Sequence, residues 1–120
     1  LDLINDVLAS KEIFLGRYYM KKEKWIAAIN RFKQVVQFYD TTIYIEEALH
    51  RLVELHYRIG LIDEAKKYAK LLGYNYQSSK WYEATYIIFN KDYDSPIRKI
   101  NKNKKKGNFI IRKFKSLFEL

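Results

Sequence analysis

Residues 9–42 and 46–79 carry the same succession of small, apolar and aromatic positions over 34 residues. A repeat of that length leaves few architectures open. In the first copy the positions are Leu15-Gly16, Tyr19, Ala28 and Phe32; in the second they are Leu52, Tyr57, Gly60, Asp63-Glu64-Ala65 and Tyr68. Ala28 and Ala65 stand 37 residues apart, so three residues, Ile43-Tyr44-Ile45, are inserted between the copies. Periods of 20–50 residues mark arrays in which one small unit, unable to bury its apolar face alone, stacks on its neighbours. Here the unit reads as two helices joined by a tight turn. Four glycines and one proline in 120 residues are too few for the dense turns of a sandwich or barrel.

Each copy resembles the tetratricopeptide template, and the residue types explain why. Gly16 and Ala28 are small where two helices of a hairpin must approach, and Tyr19, Phe32, Tyr57 and Tyr68 are expected to fill the space between turns. Gly60 suits the left-handed residue that ends the first helix of the second hairpin, and Asp63 is expected to cap the next helix with Glu64 in its first turn. In the first copy Glu23 stands where that glycine would be, and Trp25 adds an aromatic ring at the hairpin tip. A further stripe of Trp81, Ala84, Thr85, Ile88 and Phe89, preceded by Ser78 and Ser79 as possible caps, reads as a closing helix. The expectation is an all-α solenoid piece with helices near 1–22, 25–39, 44–59, 62–73 and 79–90. The organisation would be a repeat unit over 1–91, a basic linker over 92–107 opened by the breaker Asp92-Tyr93-Asp94-Ser95-Pro96, and an amphipathic tail helix over 108–120.

Charge separates the tail from the body. The chain carries a net +9, and residues 97–120 hold nine Lys or Arg against Glu119, so all but one of the net charges lie there. Lys104, Lys105 and Lys106 precede a face of Phe109, Phe114 and Phe118 flanked by Arg112 and Lys113. Such a segment suits an anionic membrane surface, RNA, or an apolar groove on the repeat stack itself or on a partner. No stretch of about 18 apolar residues is available to cross a membrane. There is no cysteine, which removes disulfides and thiolate metal sites. The chain opens on Leu1 within an apolar helical pattern of Leu1, Ile4 and Leu8, without a basic n-region, and reads as the continuation of a longer protein.

Nothing in the chain looks catalytic. There is no glycine-rich phosphate loop or nucleophile elbow, and no cofactor or metal is implied. Glu46, His50 and Glu54 share one helical face at a spacing a metal or an acid–base pair could use, yet charges so spaced more often form a solvated face, and that is the reading taken. His56 reads as a packed histidine, and the tyrosines as core rather than base-stacking residues. Phe14, Arg17, Tyr18, His50 and Leu49 are expected on exposed or half-exposed faces of the first helix of each hairpin, a poor clamp for a peptide carboxylate.

Three stretches resemble a narrower family: Gly16-Arg17-Tyr18-Tyr19, Ala27-Ala28-Ile29-Asn30-Arg31-Phe32 and Glu46-Glu47-Ala48-Leu49-His50-Arg51-Leu52. With Leu72 to Tyr82, they are similar to the last two repeats of the BamD/ComL family over roughly residues 3–90. Gln77 replaces a usual proline, and the family's lipidated cysteine and first repeats are not in this chain. The resemblance implies a lipid-anchored scaffold at the periplasmic face of the outer membrane, its anchor on an upstream part. It would bind the POTRA region of a BamA-like barrel protein, other assembly-complex subunits and unfolded outer-membrane proteins. It also implies that Arg31, following Asn30, makes the POTRA contact; Gln34 one turn on and Trp25 at the hairpin tip join it as expected partner-binding residues. A membrane partner for the tail fits this setting better than nucleic acid. The alternative is a cytosolic tetratricopeptide adaptor whose tail binds nucleic acid.

Overall fold

The computed structural model describes residues 3–77 and 79–90. Within them the chain forms five helices: α1 (Leu3–Lys21), α2 (Trp25–Phe38), α3 (Ile45–Arg58), α4 (Ile62–Asn75) and α5 (Lys80–Phe89). No strand occurs among the described residues. α1 packs on α2 and α3 on α4, and the three-residue connections at 22–24 and 59–61 turn each pair back on itself as a hairpin. α2 against α3 joins the hairpins, and α5 packs over α3 and α4. The expected linker and tail, with Leu1, lie outside the described residues.

Both hairpins turn by the same device. Gly60 adopts φ +88°, its N–H donating to Tyr57 O, while Leu61 N–H donates to His56 O at 2.8 Å. Glu23 adopts φ +58°, donating to Met20 O, while Lys24 N–H donates to Tyr19 O at 2.9 Å. This pair of bonds is the Schellman cap, whose left-handed residue is usually glycine. Glu23 takes up the same geometry without glycine's freedom. The expected Asp63 cap does not form. The Schellman turn feeds directly into α4, so Leu61 occupies the N-cap without a side-chain bond, and Asp63 lies inside the first turn with Glu64. There the two carboxylates act on the positive end of the helix dipole. Ser79 does cap α5, its hydroxyl accepting from Tyr82 N–H at 3.0 Å.

The core forms where small residues let helices approach. Ile13 and Met20 from α1, Ile29, Phe32 and Val35 from α2, and Leu52 and Leu55 from α3 make one buried cluster. Gly16 faces the Phe32 ring so closely that a Cβ added there would lie 2.5 Å from Cζ. A second cluster joins Ile45, Leu49 and Leu72, with Tyr68, Trp81 and Tyr82 packed on it. Tyr57, expected in the interior, is exposed and sets its ring edge-on to Phe89, 5.6 Å between centroids. Leu55 and His56 take the inward positions in its place.

α3 is the axis of the molecule. Eleven of its fourteen residues are buried, among them Glu47, His50, Arg51 and Glu54, so it is enclosed all round rather than on one face. At the other extreme α1 leaves Leu3, Ile4, Val7 and Phe14 about 70% exposed along its outer side, an apolar stripe of the kind that marks an interaction surface.

Candidate docking surface

α2 presents three of the four expected partner-binding residues together. Asn30, Arg31 and Gln34 fall on the side of the helix turned away from Ile29, Phe32 and Val36, by the 3.6-residue period. Asn30 is exposed, Gln34 is half-buried, and the Arg31 side chain is 39% exposed with Nη1 3.4 Å from Glu12 Oε2 on α1. That bond tethers the guanidinium at one corner while leaving its remaining donors a route outward. Trp25 does not join them. It lies at the start of α2 on the core side, half-buried, with the Arg58 guanidinium 4.9 Å from its ring centre. The expected tail contacts at Lys104, Lys105, Lys106, Phe109, Arg112, Lys113, Phe114 and Phe118 lie outside the described residues.

Around α3 the structure holds a polar network that the sequence reading missed. Glu47 accepts from both arms of Arg17, with Nε at 2.7 Å, and from Arg51 Nε at 3.3 Å. Arg51 also donates to Glu54 Oε2 at 3.3 Å. His50 places Nδ1 2.7 Å from the Thr85 hydroxyl on α5 and Nε2 3.6 Å from Glu54. Trp81 of α5 covers this group, its ring 5.3 Å from both the His50 ring and the Arg51 guanidinium. One polar network, its α3 members buried and Arg17 half exposed, thus links α1, α3 and α5.

Burial sets its ionisation. Desolvation, reinforced by Arg51, drives His50 down to about 3, so the imidazole is neutral. Desolvation pushes Glu54 up to about 7 against the opposing pull of Arg51 and Arg58. The Arg17 pKa is raised, chiefly by its hydrogen bond to Glu47. The expected solvated face of Glu46, His50 and Glu54 is therefore overturned: His50 and Glu54 are buried and Glu46 is half-buried. The register that matters lies one residue on, at Glu47, His50, Arg51 and Glu54. His50 and Leu49 likewise leave the expected exposed face, which keeps Phe14, Arg17 and Tyr18. His56 is packed as expected, Nδ1 2.7 Å from Leu52 O and its ring against Tyr68. No group of three or more metal-ligating side chains occurs among the described residues. The network has the makeup of a structural lock between helices.

The family of outer membrane lipoproteins designated YfiO matches residues 1–71. The chain belongs to this family. It is 56% identical over 95 residues to the outer membrane protein assembly factor BamD of Rickettsia prowazekii, covering 79% of this chain and 38% of that protein. It is 46% identical over 90 residues to the BamD of Caulobacter vibrioides, covering 75% of this chain and 30% of that protein. A Neisseria meningitidis BamD is 34% identical over 74 residues, 62% of this chain and 28% of that protein. The chain thus spans well under half the length of these relatives. No solved structure matches it. Membership of an outer-membrane lipoprotein family displaces the alternative of a cytosolic adaptor.

Proposed function

We propose that this chain is a non-enzymatic docking segment of outer-membrane β-barrel assembly, working at the periplasmic face and holding the POTRA region of a BamA-like barrel protein on the outer side of α2. The reading is carried by one observation: in a chain related over most of its length to BamD assembly factors, Asn30, Arg31 and Gln34 come together on one accessible face. A guanidinium held by Glu12 at one corner is partly preorganised, and its free donors suit a partner carboxylate in a bidentate bond. Unfolded outer-membrane proteins and other subunits of the assembly are further partners in this reading. The basic tail, with Lys104, Lys105, Lys106, Phe109, Arg112, Lys113, Phe114 and Phe118, meets the membrane surface or a neighbouring subunit.

The test is titration calorimetry of the chain against the POTRA domains of its own organism's barrel protein. Arg31→Gln should weaken binding about tenfold or more with the helical circular dichroism unchanged, since a charge-assisted contact is lost. Arg31→Glu should weaken it further by repelling the partner, although it also faces Glu12. Ala28→Leu should instead unfold the first hairpin through overpacking at about 1–3 kcal/mol. If all three lose binding only in step with lost helicity, Arg31 is a scaffold residue and the reading falls.

A further inference from the structure

Between α4 and α5, away from α2, runs an open groove of about 480 Å³ walled by Tyr74, Tyr82, Tyr86 and Phe89. Gly73 makes its floor possible: a Cβ there would come 3.1 Å from the Tyr82 ring, so the ring lies against bare backbone. Lys66 and Lys70, one turn apart on α4, stand on its rim. Both are exposed, and among the described residues neither has an ion pair and none of those lining the groove is acidic. Asp63 borders an adjoining hollow that shares Lys66, Lys70 and Tyr74 with the groove. The groove therefore joins aromatic walls to two positive charges that form no salt bridge among the described residues.

From this juxtaposition we infer that the α4–α5 groove is a second docking site, one that takes a peptide segment of a partner protein in which an aromatic or branched apolar side chain is flanked by carboxylates. The apolar anchor enters between Tyr82, Tyr86 and Phe89, and the carboxylates meet Lys66 and Lys70 at the rim, the usual division between a dry pocket and a polar edge. Charge argues against the chain's own tail as occupant, since residues 97–120 would bring a net +8 to a rim that is already positive. Shape argues against a bilayer, which offers a flat surface to a concave one. The site shares no residue with the Arg31 face, so it stands or falls separately from the POTRA reading.

The experiment is fluorescence anisotropy with three labelled synthetic peptides added to the full chain: one alternating Leu and Phe with Asp, its twin with Lys for Asp, and one with the Asp residues kept and Ser replacing Leu and Phe. The third reports charge attraction, to the tail and the rim lysines together, without the apolar anchor. The Asp peptide should bind more tightly than the Ser-containing one. It should weaken about tenfold or more in Lys66→Glu/Lys70→Glu, a surface double change that leaves the tail untouched. The Lys peptide should show the reverse preference, which a misfolded variant could not produce. Phe89→Ala should weaken the Asp peptide with its salt dependence preserved. Equal binding of the Asp and Ser peptides, or no effect of the charge reversal, overturns the proposal. So does co-sedimentation of the chain with anionic vesicles through the same lysines without peptide binding.

Discussion

Glu23 and Gly60 occupy the same place in successive hairpins, and only one of them is built for it. Replacing Glu23 with glycine removes the steric cost of a left-handed side chain, about 1–2 kcal/mol, against glycine's greater loss of freedom on folding, about 0.5–1 kcal/mol. Glu23→Gly should therefore raise the melting temperature slightly. Gly60→Ala should lower stability by about 1 kcal/mol, and since nothing lies within 4 Å of the added Cβ, the loss would be conformational and not steric. Gly16→Ala is the opposite case: the φ is ordinary, but the Phe32 ring fills the space, and a cost of about 1–3 kcal/mol is expected from overpacking. Thermal melts of the three variants check these signs. All three positions were legible in the sequence, because a small residue or a left-handed turn is a local demand that the repeat period locates. The Asp63 cap was misplaced because the geometry of the preceding turn, which no single residue announces, decides where a helix begins.

Among the elements, α3 departs furthest from its sequence pattern. Read alone, Glu46 to Arg58 looks like an amphipathic helix with a charged outer face. α5 then lays Trp81 and Thr85 over that face, and the charges become interior. Glu47 leads the polar stripe because Arg17 of α1 reaches it, a tertiary contact that helical periodicity does not contain. The buried pair has a measurable consequence. Glu54, raised from 4.5 to about 7, binds its proton more readily when folded, so its contribution to stability falls as pH rises from about 4.5 to about 7. His50, lowered from 6.5 to about 3, binds its proton less readily when folded, so its contribution rises with pH from about 3 to about 6.5. Across the shared window the slopes oppose, and the parent protein should be nearly flat there. Chemical denaturation between pH 4.5 and 6.5 should show His50→Gln losing stability with rising pH and Glu54→Gln gaining it, each by up to about 1.4 kcal/mol per pH unit. Flat profiles in both variants would mean that neither group titrates as its burial requires.

For the molecule as a whole, the apolar side of α1 governs stability. Leu3, Ile4, Val7 and Phe14 are exposed along one side, an apolar stripe that a soluble monomer seldom carries. The chain by itself should melt broadly at modest temperature and gain stability with concentration or with an added upstream repeat, as nearest-neighbour stacking requires. Scanning calorimetry at two concentrations decides this, and a sharp, concentration-independent transition at high temperature would contradict it. The proposed role of Arg31 follows from family resemblance, whereas the α4–α5 groove takes its walls from two helices, and no sequence pattern pairs Gly73 with Tyr82. The shared charges of α3 carry a mechanical implication as well. Turning α3 by one residue, about 100°, would break its bonds to Arg17 on α1 and Thr85 on α5 together, so it resists torsion. A push on α1 would then travel as a rigid-body displacement through α3 to α5, and α5 would move with the load rather than absorb it.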